Sequence, residues 1–353
     1  MFEVDEKFMA RCLELARCGQ GNTSPNPMVG AVIVHNGKII GEGYHRKCGE
    51  GHAEVNAIAS VRDKRLLKDS TIYVSLEPCS HYGKTPPCAK LIIDMGILRV
   101  VVGCVDPFPE VSGRGIRMLR DAGVEVVTGV LESQAIALNR PFMTMQRLGR
   151  PYVMLKWAQS ADGYMDICRQ DPSVRPVVLS DAANAREVHK LRADFAAIMV
   201  GTRTALLDNP SLTVRRWAGN SPVRVVIDRR REIPENYHLL DQSVPTLVFT
   251  EAASEKRPNL EFIQLDFSQP ILPHVMAELA RRKLDSLLVE GGACLLNSFI
   301  ESSLWDEARV EVSPRVLGNG VKAPVLEGKA SVQLNGNQAF HYYRDDRSSE
   351  VYR

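Results

Sequence analysis

The feature that most constrains this chain is the regular succession of short apolar strands and helical stretches. The stretch MVGAVIVHNGKIIGEGYH reads as two strands around an Asn36-Gly37 turn, a strong hairpin signal. A helix (AEVNAIASVR) and a strand (STIYVSL) follow, then a helix (CAKLIIDMG), a strand (RVVVGCV), a helix near GIRMLRDAG and a strand (VEVVTG). Near-continuous apolar strands flanked by helices predict an α/β layer architecture whose sheet is covered on both faces. The run NRPFMTMQRLGRPYVMLKW, with two prolines and a glycine, breaks this pattern and reads as a joint. A second α/β series begins at a strand over Tyr152 to Trp157 and continues through ANAREVHKLRA, FAAIMVG, VRVVID, TLVFT, HVMAELARRK, DSLLVEGG, ACLLNSFIES and EARVEVS. The boundary is placed near residue 147, giving two domains, 1–147 and 148–353, of ordinary size for a chain of 353 residues.

Composition narrows the function classes. A formal charge of +2 and short basic clusters such as Arg229-Arg230-Arg231 advertise neither nucleic acid nor an anionic membrane as a partner. No stretch reaches the roughly 18 unbroken apolar residues of a membrane span. The N-terminal stretch carries charges throughout, unlike a secretory signal, and reads as an amphipathic helix. Asp5 is its expected N-cap, and Phe8, Met9, Cys12, Leu13 and Ala16 share one face. A cytoplasmic address is therefore expected, where the eight cysteines stay reduced and a disulfide is disfavoured.

Cys79 and Cys88 stand eight residues apart in EPCSHYGKTPPCAK, a proline-rich loop. Upstream, His52-Ala53-Glu54 stands at a predicted helix start. One His and two Cys thiolates can hold a tetrahedral zinc and leave a fourth position for water, whose pKa the metal lowers towards neutrality. A carboxylate beside the site that is not a ligand can then shuttle protons from water to a departing amine. Glu54, two residues after His52, suits that catalytic role. Cys88 opens a helix, where the dipole favours a thiolate. His81, inside the loop, is a competing ligand, but His52 belongs to the H-x-E unit and is preferred.

With these residues in view, the chain resembles the cytidine and nucleotide deaminase superfamily. That superfamily usually spaces its cysteines two apart. The longer gap, with NPMVGAVIV and HAEVNAI, is similar to one branch, the bifunctional deaminase–reductase family of riboflavin biosynthesis. The resemblance implies a cytidine-deaminase-like three-layer α/β domain with zinc on His52, Cys79 and Cys88 and Glu54 as proton shuttle. It also implies loss of the ring amine of a phosphoribosylated diaminopyrimidinone, with Asn26 as a pyrimidine contact and the loop carrying His81 and Lys84 facing that substrate.

The second half carries no G-x-G-x-x-G that opens a helix after a strand. LLVEGGACLLNSF does place two glycines between a strand and a helix, where backbone N–H groups can meet a phosphate. Lys156 shares a strand face with Met154 and Ala158, an odd place for a charge unless it meets an anionic ligand or solvent. Arg186 and Arg192 are both candidates to hold a phosphate.

LKWAQSADG, LRAD, VGTRTALLDNPSLTVR and VEGG stand in the same order as in the reductase half of that family. The resemblance implies a dihydrofolate-reductase-like α/β domain that uses NADPH to reduce the ribosyl group to ribityl. Ala158, Thr204, Asp208 and the stretch Gly292, Ala293, Cys294, Leu295, Leu296, Asn297 and Ser298 would contact the nucleotide. Arg229 would take its 2′-phosphate, and Arg192, Leu212, Arg215 and Glu290 would contact substrate. The chain departs from the family between residues 163 and 180, where Val178 replaces a tryptophan and the loop is longer, so cofactor packing is expected to differ there. A homo-oligomer acting on small phosphoribosyl-pyrimidines, without nucleic-acid or membrane partners, is expected. The rivals are a nucleic-acid deaminase with an accessory domain and a zinc-stapled binding module; a catalytic role for Glu54 separates the latter.

Overall fold

The computed structural model describes residues 2–82, 86–108 and 112–345. Lys84 lies outside the described residues. The chain divides into two compact units, residues 1–148 and 149–353.

The first unit contains α1 (Phe2–Arg17), β1 (Gly30–His35), β2 (Lys38–Tyr44), α2 (Ala53–Ser60), β3 (Ser70–Leu76), α3 (Cys88–Asp94), β4 (Arg99–Cys104), α4 (Arg114–Asp121), β5 (Glu125–Thr128), α5 (Glu132–Leu138) and α6 (Arg140–Leu148). Its sheet runs β2-β1-β3-β4-β5. The Asn36-Gly37 hairpin makes β1–β2 antiparallel, β1–β3 is also antiparallel, and β3, β4 and β5 are parallel. One face packs α1 through Phe8, Met9 and Cys12 onto Val32, Tyr73 and Val101. The opposite face packs α2 and α3 through Ala57, Ile58 and Ile92 onto Ile33, Val74 and Val100. This is a three-layer α/β domain.

One sequence expectation needs correction. Asp5 is not an N-cap: it lies inside α1, buried, where its carboxylate accepts from Tyr73 Oη (2.8 Å) and from Arg99 Nη1 and Nη2 (3.1 and 2.9 Å). Burying a carboxylate costs free energy unless donors replace its water, and these donors do so. The joint lies where the two compact units divide, between residues 148 and 149. Its Pro141 sits in the first turn of α6, where a missing N–H breaks no helical bond.

The second unit contains β6 (Tyr152–Gln159), β7 (Tyr164–Asp166), α7 (Ala182–Asp194), β8 (Ala197–Gly201), α8 (Thr202–Asp208), β9 (Val223–Ile227), β10 (Thr246–Thr250), β11 (Glu255–Arg257), β12 (Leu260–Gln264), α9 (Ile271–Arg281), β13 (Ser286–Val289), α10 (Ala293–Glu301), β14 (Glu307–Val312), β15 (Val321–Lys322), β16 (Ser331–Asn335) and β17 (Gln338–Arg344). Ten strands form a mixed sheet, ordered β11-β12-β10-β9-β8-β13-β6-β14-β17-β16, while β7 and β15 pair separately. The seven strands from β12 to β14 are parallel. Alternate side chains serve opposite faces: Leu287 and Val289 pack with Leu296 and Phe299 of α10, whereas Leu288 packs with Ile198 and Leu212. Along β6, Val153, Leu155 and Trp157 enter the α9–α10 core. Met154, Lys156 and Ala158 therefore take the other face.

Candidate active sites

In the first unit, His52 is the residue just before α2, and Cys88 is the first residue of α3. Cys79 follows β3 by three residues. Within the sequence His52 lies 36 residues before Cys88, yet the parallel layout returns both helix starts to one edge of the sheet. His52 Nδ1 stands 3.6 Å from Cys79 Sγ and 3.3 Å from Cys88 Sγ. The three donor atoms lie within 4.8 Å of one another. Tetrahedral zinc with usual bond lengths sets neighbouring S and N donors about 3.6 Å apart and two S donors about 3.8 Å apart, so this donor set fits the metal. Among the described residues no other group of three such side chains converges in this way.

Electrostatics lead to the same conclusion. Hydrogen bonding with the Cys88 thiol, ahead of that with His52, holds the Cys79 thiol down at about 4 despite its burial. The backbone N–H of Cys88 also donates to Cys79 Sγ (3.3 Å). The hydrogen bond to Cys79 lifts His52 to about 9 and pushes Cys88 well up. A divalent cation bound here would take both sulfurs as thiolates and His52 as a neutral imidazole, releasing the protons that the three groups share.

Glu54 is buried, and burial raises its carboxyl to about 7. The Cys88 thiol bonds to this carboxylate. At the mouth, His45 and His52 meet edge to face with ring centroids 5.6 Å apart. Asn26 Nδ2 lies 3.4 Å from His45 Nε2. His81 does not join the donors but packs edge-on against Phe108, with centroids 6.3 Å apart.

Sequence reasoning missed Glu77. Its buried carboxylate accepts from the backbone N–H groups of Gly113 (2.9 Å), Gly115 (2.9 Å), Ile116 (3.1 Å) and Asp106 (3.3 Å). A Cβ on Gly115 would stand 2.0 Å from the carbonyl oxygen of Pro78. Only glycine allows α4 to approach the Pro78-Cys79 backbone so closely, and Glu77 fixes that approach. An acidic residue directly before Pro-Cys was the available signal.

The second unit has a cleft of about 290 Å3 lined by Lys156, Ala158, Val177, Val178, Ser180 and Glu290 among others. Arg192 of α7 grips Glu290, at the end of β13, with Nε and Nη2 at 3.0 and 2.6 Å, and its Nη1 donates to the Thr213 carbonyl (3.3 Å). Arg215 Nη1 donates to Thr213 Oγ1 (3.1 Å), while Leu212 beside them is buried. The four expected substrate residues are thus neighbours. Arg186 forms no part of this group.

The expected nucleotide residues fall into three places. Ala158 lies in the cleft. Thr204 faces the strand-to-helix turn, with its Oγ1 3.0 Å from where a Cβ on Gly292 would stand; Gly292 has φ of 69° and caps α10. Within α10 Leu295 and Leu296 are core side chains, whereas Cys294 is exposed. Asp208, at the end of α8, pairs with Arg169. Arg229 stands further off, paired with Glu251 (2.9 Å) and over the Phe267 ring.

Arg169 was also missed. It is buried in the divergent 163–180 segment, where its Nε donates to Asp166 Oδ2 (2.7 Å) and Nη1 to the Val174 carbonyl (3.1 Å). Asp166 Oδ1 accepts from Val177 N (2.9 Å). The longer loop is thus a pinned wall of the cleft. Val178 lies in that wall and is exposed.

Comparison with known proteins accounts for both sites. Residues 2–104 match the cytidine and deoxycytidylate deaminase zinc-binding region, and residues 151–345 match the RibD C-terminal domain. The riboflavin biosynthesis protein RibD of Bacillus amyloliquefaciens is 41% identical over 92% of this chain and 89% of its own length. This chain belongs to the RibD family. RibD of Escherichia coli strain K12 is 36% identical, covering 90% of each chain. The Thermotoga maritima diaminohydroxyphosphoribosylaminopyrimidine deaminase/5-amino-6-(5-phosphoribosylamino)uracil reductase superposes with a TM-score of 0.87 at 36% identity, over 97% of this chain and 99% of that one. Acinetobacter baumannii RibD gives 0.85 at 31% identity, over 97% and 99%. Like its family, the chain is a bifunctional riboflavin-biosynthesis enzyme, a zinc-binding deaminase joined to an NADPH-dependent reductase, that acts on small pyrimidine substrates. Among the described residues no helix is long and apolar enough to cross a membrane.

Proposed function

We propose that residues 1–147 deaminate 2,5-diamino-6-(5-phosphoribosylamino)pyrimidin-4(3H)-one, and that residues 148–353 reduce the ribosyl group of the product to ribityl. The observation that carries the first half is the convergence of His52, Cys79 and Cys88 around a shared cation position, with buried Glu54 bonded to the same cluster.

In this reading His52, Cys79 and Cys88 hold zinc. When bound, zinc supplies a water acidic enough to lose a proton near neutral pH. Glu54, lifted to about 7 by burial, takes that proton as the ring carbon is attacked and returns it to the departing amine as ammonia leaves. Asn26, fixed against His45, orients the pyrimidine at the mouth.

In the second half NADPH, when bound, supplies the hydride that reaches C1′ of the opened sugar. Lys156 supports this reading: it is a cleft-lining ammonium with no hydrogen bond or ion pair to any described side chain, so its donors are free for a ligand. Arg192, Leu212, Arg215 and Glu290 frame the substrate side. Ala158, Thr204, Asp208 and the turn into α10, Gly292 to Ser298, frame the nucleotide side, with Arg229 offered to a 2′-phosphate. Family membership and the near-neutral charge support a cytoplasmic homo-oligomer without nucleic-acid partners.

The test measures zinc content and ammonia release from the diaminopyrimidinone nucleotide with the purified chain. Cys88→Ser should lose both together. Ammonia release at the wild-type rate from zinc-free protein would overturn the reading.

A further inference from the structure

The charges beside the reductase cleft alternate in sign across one face of the sheet. Arg192 is bound to Glu290 at the end of β13; next comes Lys156 on β6, and then Glu311 and Arg309 on β14. Register puts Glu311 directly opposite Ala158, and Arg309 opposite Lys156. Residues directly opposite share a face, and diagonal neighbours remain within reach of long side chains. Ala308, Val310 and Val312 serve the apolar core on the other side, so Glu311 shares the Lys156 face.

Glu311 is fully buried. Its Oε2 accepts from Ser180 Oγ (2.7 Å), while its Oε1 has no partner. A buried carboxylate with one hydroxyl donor needs positive charge nearby. Two cations face it. Arg309 lies over the Phe340 ring, 4.8 Å from its centroid, with its own Nε unpartnered. Lys156 is the other, and no contact within 4.0 Å joins it to Glu311. Glu290 is already engaged by Nε and Nη2 of Arg192.

We infer that Glu311 is a positioning residue of the reductase: it supplies countercharge to Lys156 from the neighbouring strand without taking up the ammonium's hydrogen-bond donors. A direct ion pair would stabilise the charge and occupy the donors; charge held beyond contact distance favours the cationic form of Lys156 and leaves its N–H groups for the ligand. Ser180, on the wall of the cleft, fixes the carboxylate at that distance. Burial lowers the Lys156 pKa, whereas Glu290 and Glu311 work against that fall and Arg192 and Arg309 add to it. Removing the Glu311 charge therefore lets Lys156 lose its proton at lower pH.

The inference rests on the reading of Lys156 as a ligand-facing group. Glu311→Gln, Glu311→Asp and Lys156→Met are compared in the full chain with 5-amino-6-(5-phosphoribosylamino)uracil and NADPH, with kcat/KM followed against pH. Denaturant melting of each variant, compared with the parent chain, reports that the second unit, which carries both residues, is folded. Lys156→Met should lose reduction at every pH. Glu311→Gln should move the alkaline limb of the reductase profile down by on the order of one pH unit, and Glu311→Asp should restore it in large part. If Lys156→Met reduces normally, the reading of the cleft falls and the inference with it. If Lys156→Met is inactive but Glu311→Gln keeps the wild-type profile, or loses rate equally at all pH values, the inference alone falls.

Discussion

The two sites are assembled differently. The deaminase centre is local: His52, Glu54, Cys79 and Cys88 come from one helix–strand–helix passage, and every donor sits at or near an element end. The reductase cleft is gathered from β6, the 163–180 segment and Glu290 at the end of β13, which Arg192 of α7 grips, and the charges beside it are spread over a sheet face. A local site resting on element starts tolerates little alteration. A distributed site depends on charges brought together from distant parts of the chain.

This contrast orders the expected effects. Glu54→Gln should lower deamination by about 10²–10⁴-fold, the usual contribution of a positioned proton shuttle, with reduction of the deaminated intermediate unchanged. Equal losses in both reactions would erase the distinction between the sites. Arg192→Ala strands Glu290 as a buried, unpaired charge. It should destabilise the second unit by about 3–5 kcal/mol, measured by denaturant melting, with zinc retained in the first.

The same pair gives a pH dependence. Glu290 is pushed up by burial but held below its usual range by Arg192, so its pKa in the folded protein is the lower one. Its stabilising contribution is present above the unfolded carboxyl pKa and is lost as pH falls through the folded one. A double variant, Arg192→Met with Glu290→Gln, should lose less stability on acidification than the parent chain; equal acid sensitivity would show that the pair contributes none. Leu296→Ala should cost about 2–5 kcal/mol as a cavity in the core, whereas Cys294→Ala, on the exposed side of α10, should leave stability unchanged and alter only the KM for NADPH. Glu77→Gln, by loosening four backbone bonds behind Cys79, should weaken zinc binding about 10-fold, the smaller end of what supporting contacts supply, as read by chelator competition.

The same contrast explains what was legible beforehand. Strand runs such as STIYVSL and FAAIMVG are buried on both faces, and their apolar continuity shows directly in the sequence. His-x-Glu and Pro-Cys announce chemistry because ligand geometry demands those residue types at helix starts. Asp5 misled because a helix-starting residue and a buried salt-bridge partner look alike until Arg99 and Tyr73 are brought to it by β4 and β3. Glu311 and the Arg169–Asp208 pair were hidden for a related reason, since their partners lie 131 and 39 residues away, while Glu77 acts on backbone N–H groups and was marked only by its place before Pro-Cys. The paired β16 and β17 strands and helix α8 were also passed over, being short or without a strong period. Lys156 was the exception in the second half, since a charge on an otherwise apolar strand face stands out by periodicity alone.

One chain carrying two separable chemistries is a statement that experiment can test on the intact protein. The most direct measurement follows ammonia release and NADPH oxidation on a single purified chain supplied with the diaminopyrimidinone nucleotide, with Glu54→Gln alongside. The account predicts that the parent chain performs both reactions. The variant should release ammonia about 10²–10⁴-fold more slowly, and oxidise NADPH at the parent rate only once the deaminated intermediate is added. Ammonia release by Glu54→Gln at the parent rate, or failure of the parent chain to oxidise NADPH with the deaminated intermediate, would contradict it.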